Sequence, residues 1–334
     1  MPIAHEADPT MTPTMSRRRL FERVLAVLGA PAALALQGCV QKGQPHAADP
    51  EPLAPSDASA PSTRVVGNRL SLAQWSLHRM HKSGQLDPMA FPAFARETFG
   101  FNGVEYVNQF YMSMPRDGQW VKELRTRAED AGVASLLIMV DSEGALGDPD
   151  AVARVAAVEG HRRWLDAAAA LGCHSIRVNA LSVGTPDEQR RLCADGTARL
   201  CEYAAASGLA VIIENHGGIS CDGAWVASIV RSVGLPNCGT LPDFGNFRCA
   251  DGSMQDRYLG VEAMMPFARA VSAKSHDFAE NGEETATSFE RMLRLVAAAR
   301  YEGWIGVEYE GKVLSEVDGV RATSALLERY GCRL

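Results

Sequence analysis

Short apolar runs alternate with longer amphipathic segments from about residue 69 to the C-terminus. The runs have the length and composition of buried strands, and the segments between them place apolar residues every three or four positions, as amphipathic helices do. The predicted strands are LSLAQWSL (70–77), GVEYV (103–107), ASLLIMV (134–140), SIRVNAL (175–181), AVIIEN (210–215), CGTLPD (238–243), VSAKSHDF (271–278) and WIGVEYE (304–310). The pattern therefore predicts eight strand–helix units.

Strands that alternate with helices form a parallel sheet with right-handed connections. Eight units in about 260 residues are typical of a closed (β/α)8 barrel. A doubly wound open sheet is the alternative, but no GxGxxG motif follows the first strand. The last helix is expected to begin after Ser315 as its N-cap and to end near Gly331. The predicted fold is thus α/β, a single TIM barrel over residues 69–334.

The first 39 residues have a different pattern. Three arginines at 17–19 precede an Ala- and Leu-rich apolar stretch that ends at Gly38 and Cys39. This order is typical of a secretory signal and resembles a twin-arginine leader. The sequence LQGC also resembles a lipoprotein cleavage box, in which Cys39 would carry the lipid. We therefore predict a signal peptide over 1–39 and export to the periplasm or cell envelope, with an ordinary amphipathic helix as the alternative.

Residues 40–68 are rich in Pro, Ala, Ser and Asp. Such a segment buries too little apolar surface to offset the entropy lost on ordering, so we predict a flexible linker. It would connect the lipid anchor to the barrel, and that anchor is the only membrane attachment expected.

Composition narrows the range of partners. The chain has a formal net charge of −7, which argues against nucleic acid because phosphate contacts need clustered Lys and Arg. No two cysteines form a CxxC pair, which argues against a zinc ribbon, and their scatter predicts no particular disulfide. The oligomeric state is left open, with a homo-oligomer among the alternatives.

Polar side chains recur where the predicted strands end. In a TIM barrel these ends meet at one mouth, where catalytic groups lie. The steps from Glu214 to Asp243, to His276 and to Glu308 are 29, 33 and 32 residues, about one strand–helix unit each. Four neighbouring strands are therefore expected to bring these groups together. Further polar residues at predicted strand ends are Glu105, Asp141, Glu143, Arg177, Asn179, His216, Asn246, Lys274 and Glu310.

Carboxylates gathered in a partly dry mouth repel one another unless a cation holds them. Oxygen ligands with one nitrogen suit Mn²⁺, Mg²⁺, Co²⁺ or Zn²⁺, with open positions left for substrate oxygens. The alternative is that Glu214 and Asp243 form salt bridges with Arg177 or Lys274. The predicted metal ligands are Glu214, Asp243, His276 and Glu308.

The segments IIENHGG, GTLPDFGNF, SAKSHDF and WIGVEYEG resemble those of the sugar phosphate isomerase/epimerase family, the xylose-isomerase-like TIM barrels. The resemblance spans the domain from LSLAQWSL to the C-terminus. It implies a carbohydrate substrate and a divalent metal bound by Glu, Asp, His and Glu from strands five to eight. Glu214, Asp243 and Glu308 match the carboxylate ligands, and Asn246 matches a polar residue that faces the sugar.

The sequence departs from this family at two places. Relatives often have a histidine two residues before the lysine of strand seven, where this chain has Ser272. His276 lies four residues further on, and would need a bulge or the curve of the mouth to reach the metal; otherwise it contacts substrate or solvent. Ser220 stands where ketose 3-epimerases have a second glutamate, which argues against a simple two-glutamate epimerase.

The resemblance implies chemistry beside a sugar carbonyl. A metal that chelates the carbonyl and a neighbouring hydroxyl acidifies the adjacent C–H bond and stabilises an enediolate. A base then removes the proton, and its return gives epimerisation or isomerisation, whereas loss of a leaving group gives elimination. The candidate bases are His216, then Lys274 and Glu105. The candidate substrate contacts are Asn246, Asn179, Arg177, Glu310, Trp75 and Phe247.

Export argues for a non-phosphorylated sugar or keto-sugar as the substrate. A lyase or hydratase acting on 3-keto-glycosides is the first alternative, and a non-catalytic exported sugar-binding lipoprotein is the second. A DNA-repair endonuclease of the same fold would need a basic surface and more histidines at the mouth.

Overall fold

The computed structural model describes residues 66–114 and 118–334. The predicted signal peptide with Cys39, and the linker up to residue 65, lie outside these ranges and remain predictions. The strands are β1 (Leu70–Ala73), β2 (Gly103–Val107), β3 (Ala134–Met139), β4 (Ser175–Asn179), β5 (Ala210–Glu214), β6 (Cys238–Leu241), β7 (Val271–Ser275) and β8 (Ile305–Tyr309). The α-helices are α1 (His78–Ser83), α2 (Phe91–Phe99), α3 (Gln119–Asp130), α4 (Ala151–Leu171), α5 (Pro186–Ala205), α6 (Gly223–Val233), α7 (Arg257–Met264), α8 (Phe289–Ala298) and α9 (Glu316–Arg329).

All eight strands belong to one parallel sheet in the order β6-β5-β4-β3-β2-β1-β8-β7. The chain just after β6 closes the ring against β7. Ser272 donates its N–H to the Pro242 carbonyl at 3.0 Å, and Phe244 donates its N–H to the Ser272 carbonyl at 3.1 Å. The predicted (β/α)8 barrel is confirmed.

Strand alternation divides the buried side chains between two cores. One residue of each neighbouring pair faces the helices and joins a large cluster of strand and helix side chains. The other faces the barrel interior, so the strands read as continuous apolar runs. The interior cluster consists of Ala73, Val107, Leu137, Met139, Ala210, Ile212, Leu241 and Ala270. Buried polar side chains, including Glu105, Ser272 and Lys274, share the barrel interior with this cluster.

Two strands end three or more residues earlier than predicted, whereas the other predicted ends differ by two residues at most. β1 ends at Ala73, and Gln74–Leu77 form a 3-10 helix instead of strand. The Gln74 side chain accepts the N–H of Val107 at 2.9 Å, and Ser76 Oγ accepts the N–H of Tyr309 at 3.0 Å, so side chains replace the ladder here. β7 ends at Ser275 rather than 278, because the chain turns into a loop bridged between Phe278 and Glu284.

Helix and domain boundaries are fixed by specific hydrogen bonds. Ser315 caps α9 as predicted, since its Oγ accepts the N–H of Asp318 at 3.0 Å. Asn68, within the predicted linker, is buried and donates to the carbonyls of Tyr301 and Gly303 at 2.9 and 2.8 Å. The folded unit therefore includes residues 66–68. Across the described ranges, no helix combines the length and the apolar character needed to span a membrane.

Candidate active site

Three buried carboxylates meet at the C-terminal ends of the strands. Glu214 ends β5, Asp243 follows β6 and Glu308 lies on β8, with exposed fractions of 1%, 0% and 3%. One oxygen from each lies within 4.8 Å of the other two. The expected convergence of these three groups is therefore present, and we call them the carboxylate group.

Two buried cations flank the carboxylate group. Arg177 Nε lies 2.8 Å from Glu214 Oε2, and Lys274 Nζ lies 3.1 Å from Glu308 Oε1 and 3.0 Å from Glu310 Oε2. The salt-bridge alternative thus applies to Glu214. Asp243 has no ion pair within the described part of the chain.

Asp243 is held from one side only. Its Oδ1 accepts the N–H groups of Gly245 and Asn246, both at 2.8 Å. Its Oδ2 is buried without a hydrogen bond, and so is Glu214 Oε2, because the nearby Arg177 Nε is not aligned with it. Buried carboxylate oxygens left in this way are costly. A divalent cation would satisfy both oxygens, so the residues present fit a metal ion.

Burial raises the pKa of Glu214 and Asp243 above the usual range, although Arg177 opposes the shift at Glu214 and Lys274 opposes it at Asp243. Burial alone would lower the pKa of both cations, but the surrounding carboxylates raise the pKa of Arg177 and of Lys274. The two cations therefore stay charged at neutral pH, while the carboxyl groups are only partly ionised without another cation.

Glu105 lies inside the barrel below the mouth. Its Oε1 accepts a hydrogen bond from Ser71 Oγ at 2.6 Å, and its Oε2 is buried without a partner. Gly306 on β8 makes room for it, because a Cβ there would lie 2.7 Å from Glu105 Oε1. Burial, together with the charges of Glu308 and Glu214, raises the pKa of Glu105 to about 7.

His216 follows β5 and is exposed at the mouth. Its backbone N–H donates to Ser220 Oγ at 3.0 Å, and Gly217 and Gly218 then turn the chain away with φ of 76° and 58°. These left-handed values explain the two glycines in the motif. Partial loss of hydration and the charges of Arg177 and Lys274 lower the pKa of the ring, which is therefore neutral and able to accept a proton.

His276 does not join the carboxylate group. It lies just beyond the end of β7, where its backbone N–H is directed at Glu284 Oε1 at 3.4 Å. Among the described residues, no histidine nitrogen joins the cluster of carboxylate oxygens that lie within 4.8 Å of one another. Ser272 lies nearer, because its hydroxyl donates to Glu308 Oε2 at 2.9 Å. The assignment of His276 as a ligand remains a prediction that this geometry does not support.

Two predicted substrate contacts brace the charged groups. Asn246 Nδ2 donates to Glu214 Oε1 at 3.2 Å, and Asn246 Oδ1 accepts from Lys274 Nζ at 3.2 Å. Asn179 Nδ2 donates to Asp141 Oδ1 at 2.6 Å. Arg177 donates to the same oxygen of Asp141 at 2.7 Å. The side chains at the ends of β3, β4, β5 and β7 thus form one connected network.

The two predicted aromatic contacts have different positions. Trp75 is partly buried over the interior core, hydrogen-bonds Glu310 through its indole N–H and stacks on His78 with ring centres 4.8 Å apart. Phe247 is fully buried in the outer core, against Gly260 of α7. Its role as a substrate contact is not supported, since the chain beyond β6 no longer alternates and turns this ring toward the helices.

Two features of the mouth were not predicted from the sequence. Asn215 is fully buried and exchanges two hydrogen bonds with the Asp243 backbone, from Nδ2 to the carbonyl at 3.0 Å and from the N–H to Oδ1 at 2.8 Å. A disulfide joins Cys221 to Cys249, with Cα atoms 5.3 Å apart. It links the loop after β5 to the loop after β6. Strand alternation turns Asn215 away from the face that carries Glu214, and a polar residue on that face was the one indication that Asn215 bonds to a neighbouring strand. The spacing of the cysteines gave no indication of the disulfide.

Comparison with known proteins agrees with this architecture. Residues 92–330 match the profile of the xylose isomerase-like TIM barrel family. The chain belongs to this family. The match confirms the resemblance seen in the four strand-end segments. No curated protein matches the chain at a significant level.

Several solved structures share the fold of this xylose isomerase-like barrel. A 3-keto-D-glucoside 4-epimerase from E. coli has 16% identity and a TM-score of 0.59, covering 72% of this chain and 94% of its own. An L-ribulose 3-epimerase has 12% identity and a TM-score of 0.61, covering 79% and 94%. A xylose isomerase-like protein from Mycobacterium smegmatis, in complex with magnesium, has 15% identity and a TM-score of 0.58, covering 80% and 98%.

Proposed function

We propose that this xylose isomerase-like barrel is a divalent-metal-dependent isomerase or epimerase of a non-phosphorylated keto-sugar. The observation that carries the proposal is the carboxylate group, with two buried oxygens that lack hydrogen bonds, beside a neutral histidine at the mouth. Similar structures that are themselves sugar epimerases support the reaction class.

Glu214, Asp243 and Glu308 would hold the metal, and the structure of a similar barrel in complex with magnesium supports a cation in this fold. The ion would polarise the sugar carbonyl and stabilise negative charge on its oxygen. Arg177 and Asn246 contact Glu214 and fix its orientation. The protein would thereby keep two ligand oxygens turned toward the mouth.

His216 is the group best placed to take the proton from the carbon beside the carbonyl. Its ring is neutral and exposed to an incoming sugar, as a general base must be. Lys274 is a poorer base, because its ammonium group contacts Glu308, Glu310 and Asn246 and its pKa is raised. We assign Lys274 the role of a fixed positive charge, and Glu105 that of a buried acid below the site.

A free sugar, rather than a sugar phosphate, agrees with the charge of the mouth. Five carboxyl groups surround Arg177, Lys274 and the proposed divalent ion, so the mouth has no surplus positive charge to attract a dianionic phosphate. The Cys221–Cys249 disulfide is the kind of bond that persists in oxidising compartments. It supports the proposal of an exported protein, and the proposed lipid anchor at Cys39 rests on the sequence alone.

Elimination from a 3-keto-glycoside is the second candidate function. It is favoured by the shared fold with a 3-keto-D-glucoside 4-epimerase. Both reactions begin with removal of a proton beside a carbonyl, and they differ only in whether a leaving group departs. Product analysis therefore distinguishes them.

The test combines metal content with proton exchange. The purified chain should contain about one divalent ion, and Glu214→Ala and Asp243→Ala should lose it. Incubation with keto-sugars in D₂O should place deuterium beside the carbonyl, and His216→Gln should slow this exchange by about 100-fold or more. His174→Gln is the matched control, because His174 precedes β4 at the opposite end of the barrel.

The proposal fails if the wild-type chain exchanges no proton with any keto-sugar, even with added Mn²⁺ or Zn²⁺. Retained sugar binding without exchange would instead indicate a sugar-binding lipoprotein.

A further inference from the structure

We infer that this site binds its metal through oxygen atoms alone, with the Ser272 hydroxyl as its neutral member, and that it therefore lacks the strong preference for Zn²⁺ over hard cations such as Mg²⁺ and Mn²⁺ that a histidine ligand gives. The inference rests on the proposed function, which places a metal at the carboxylate group. It goes further in naming the class of metal and the residue that decides it.

Ser272 lies between two of the carboxylates. It is fully buried on β7, and its Oγ is 2.9 Å from Glu308 Oε2. Its backbone pairs with the chain on either side of Asp243, which places the two residues opposite each other. The side chain of Ser272 faces the barrel interior together with Lys274, two residues along the strand. A hydroxyl therefore occupies the position between β6 and β8 where a fourth ligand is needed.

No nitrogen or sulfur ligand competes for that position within the described residues, since only carboxylate oxygens form the group. His276 follows the end of β7, and its ring does not belong to the carboxylate group although it lies at the mouth. The ring lies beside Gly245, where a Cβ would be 3.3 Å from His276 Cε1. Five free cysteines lie among the residues that the structure describes, and all five are buried outside the carboxylate group.

An oxygen-only set has a definite chemical preference. Zinc sites in proteins are usually tetrahedral and rich in histidine or cysteine, whereas Mg²⁺ and Mn²⁺ take carboxylate, hydroxyl and water oxygens. Three carboxylates give the site a strong negative charge, and Arg177 and Lys274 moderate it by contacting Glu214 and Glu308. This charge favours a compact cation without requiring a soft ligand.

The first experiment is spectroscopic and needs no variant. The full chain is stripped of metal and loaded with Mn²⁺, and pulsed electron paramagnetic resonance measures coupling to nitrogen. We expect no imidazole nitrogen coupling to the ion. Coupling that disappears in His276→Ala would overturn the inference, because it would make His276 a ligand.

The second experiment compares affinities by calorimetry for Mg²⁺, Mn²⁺ and Zn²⁺. We expect Zn²⁺ to bind no more than about 10-fold more tightly than Mn²⁺, although nitrogen-containing sites favour it much more strongly. Ser272→Ala should weaken Mn²⁺ binding by about 10-fold, and Ser272→His should tighten Zn²⁺ binding relative to Mn²⁺ by about 100-fold. His276→Ala should leave all three affinities within about twofold.

Unchanged Mn²⁺ affinity in Ser272→Ala would contradict the role of the hydroxyl, provided that circular dichroism shows the variant to be folded. Binding of no ion by the wild-type chain would overturn the metal-dependent function and this inference together. Metal binding and proton exchange that depend on His276 would overturn the oxygen-only assignment alone.

Discussion

At the scale of single residues, the mouth depends on a side chain that no substrate would touch. Asn215 stands between Glu214 and His216, but its amide points to β6 and holds both backbone groups of Asp243. Asp243 in turn orients its carboxylate through two N–H groups of the following loop. The amide thus fixes the separation of two proposed metal ligands.

Asn215→Ala should lower the free energy of unfolding by about 2–3 kcal/mol, because it leaves a buried N–H and a buried carbonyl unsatisfied. It should also weaken metal binding, since Asp243 loses its anchor. Urea denaturation and calorimetry measure the two effects. Asn281→Ala, at an exposed loop position, is the control and should change stability by less than about 0.5 kcal/mol.

Asn215→Asp sharpens the same test. It keeps the shape of the side chain but replaces the amide donor with an oxygen that faces the Asp243 carbonyl. A variant as stable as wild type would show that the hydrogen bonds contribute nothing.

Residue-level reasoning from the sequence worked where a residue belongs to a regular strand. Glu214 and Glu308 lie on ladders, so alternation and spacing placed them correctly. It did not work beyond the strand ends. His276 follows the last residue of β7, and Phe247 follows β6 by several residues. Strand alternation therefore does not predict which way either side chain points. The Cys221–Cys249 pair is 28 residues apart with a helix between, a separation from which no pairing follows.

At the scale of elements, two helices beside the mouth pack unusually closely. Gly223 begins α6 and faces Gly260 of α7, where a Cβ at Gly223 would collide with the Gly260 carbonyl oxygen. The helices follow β5 and β6, and their first residues continue the two loops that carry Cys221 and Cys249. The crossing therefore sets the positions of these loops.

Gly223→Ala should separate the two helices and lower the free energy of unfolding by about 1–3 kcal/mol, as overpacking does elsewhere. Thermal or urea unfolding measures the loss. Gly67→Ala is the matched control, because a Cβ at Gly67 meets nothing within 4 Å. Equal stability of the two variants would contradict the tight crossing.

The elements themselves were predictable, since eight apolar runs separated by amphipathic segments leave few other folds. Their ends were not. β1 stops at Ala73 because Gln74 and Ser76 bond to the backbone of neighbouring strands, and a run such as LSLAQWSL does not reveal such long-range partners. Helix ends with a local cap, such as Ser315, were predictable because cap and helix are adjacent in sequence.

At the scale of the whole molecule, the metal-free protein should lose stability as the pH rises from about 6.5 to 8. Below that range, histidines whose pKa is lowered by burial, such as His81 and His161, oppose this trend because they bind fewer protons in the folded state. Glu105, Glu214 and Asp243 have a pKa raised by burial, so between about pH 4.5 and 7 each of these three groups binds more protons in the folded state than in the unfolded chain. The free energy of unfolding then falls as these groups ionise. Glu105 alone contributes on the order of 3 kcal/mol to this decrease.

Melting temperatures in EDTA should therefore fall between pH 6.5 and pH 8, where the histidines are mostly neutral in both states, and Glu105→Gln should make that slope shallower. Saturating Mn²⁺ should reduce the slope as well, because the ion binds the deprotonated carboxylates. Glu97→Gln, on a helix surface, should leave the slope unchanged. If the melting temperature depends on pH equally in Glu105→Gln and wild type, the raised pKa of Glu105 is contradicted.

The Cys221–Cys249 bond also has a consequence for how samples of this protein are made. Chain produced in a reducing cytoplasm would carry two additional free thiols, at Cys221 and Cys249. Its two mouth loops would lose their covalent link and keep the hydrogen bonds of Asn215 and Asn246. Material from an oxidising host would be lighter by a pair of hydrogen atoms and closed to alkylating reagents at these positions. The same sequence is thus expected to give either the oxidised or the reduced protein, depending on the expression host. Mass spectrometry before any assay identifies which of the two a sample contains.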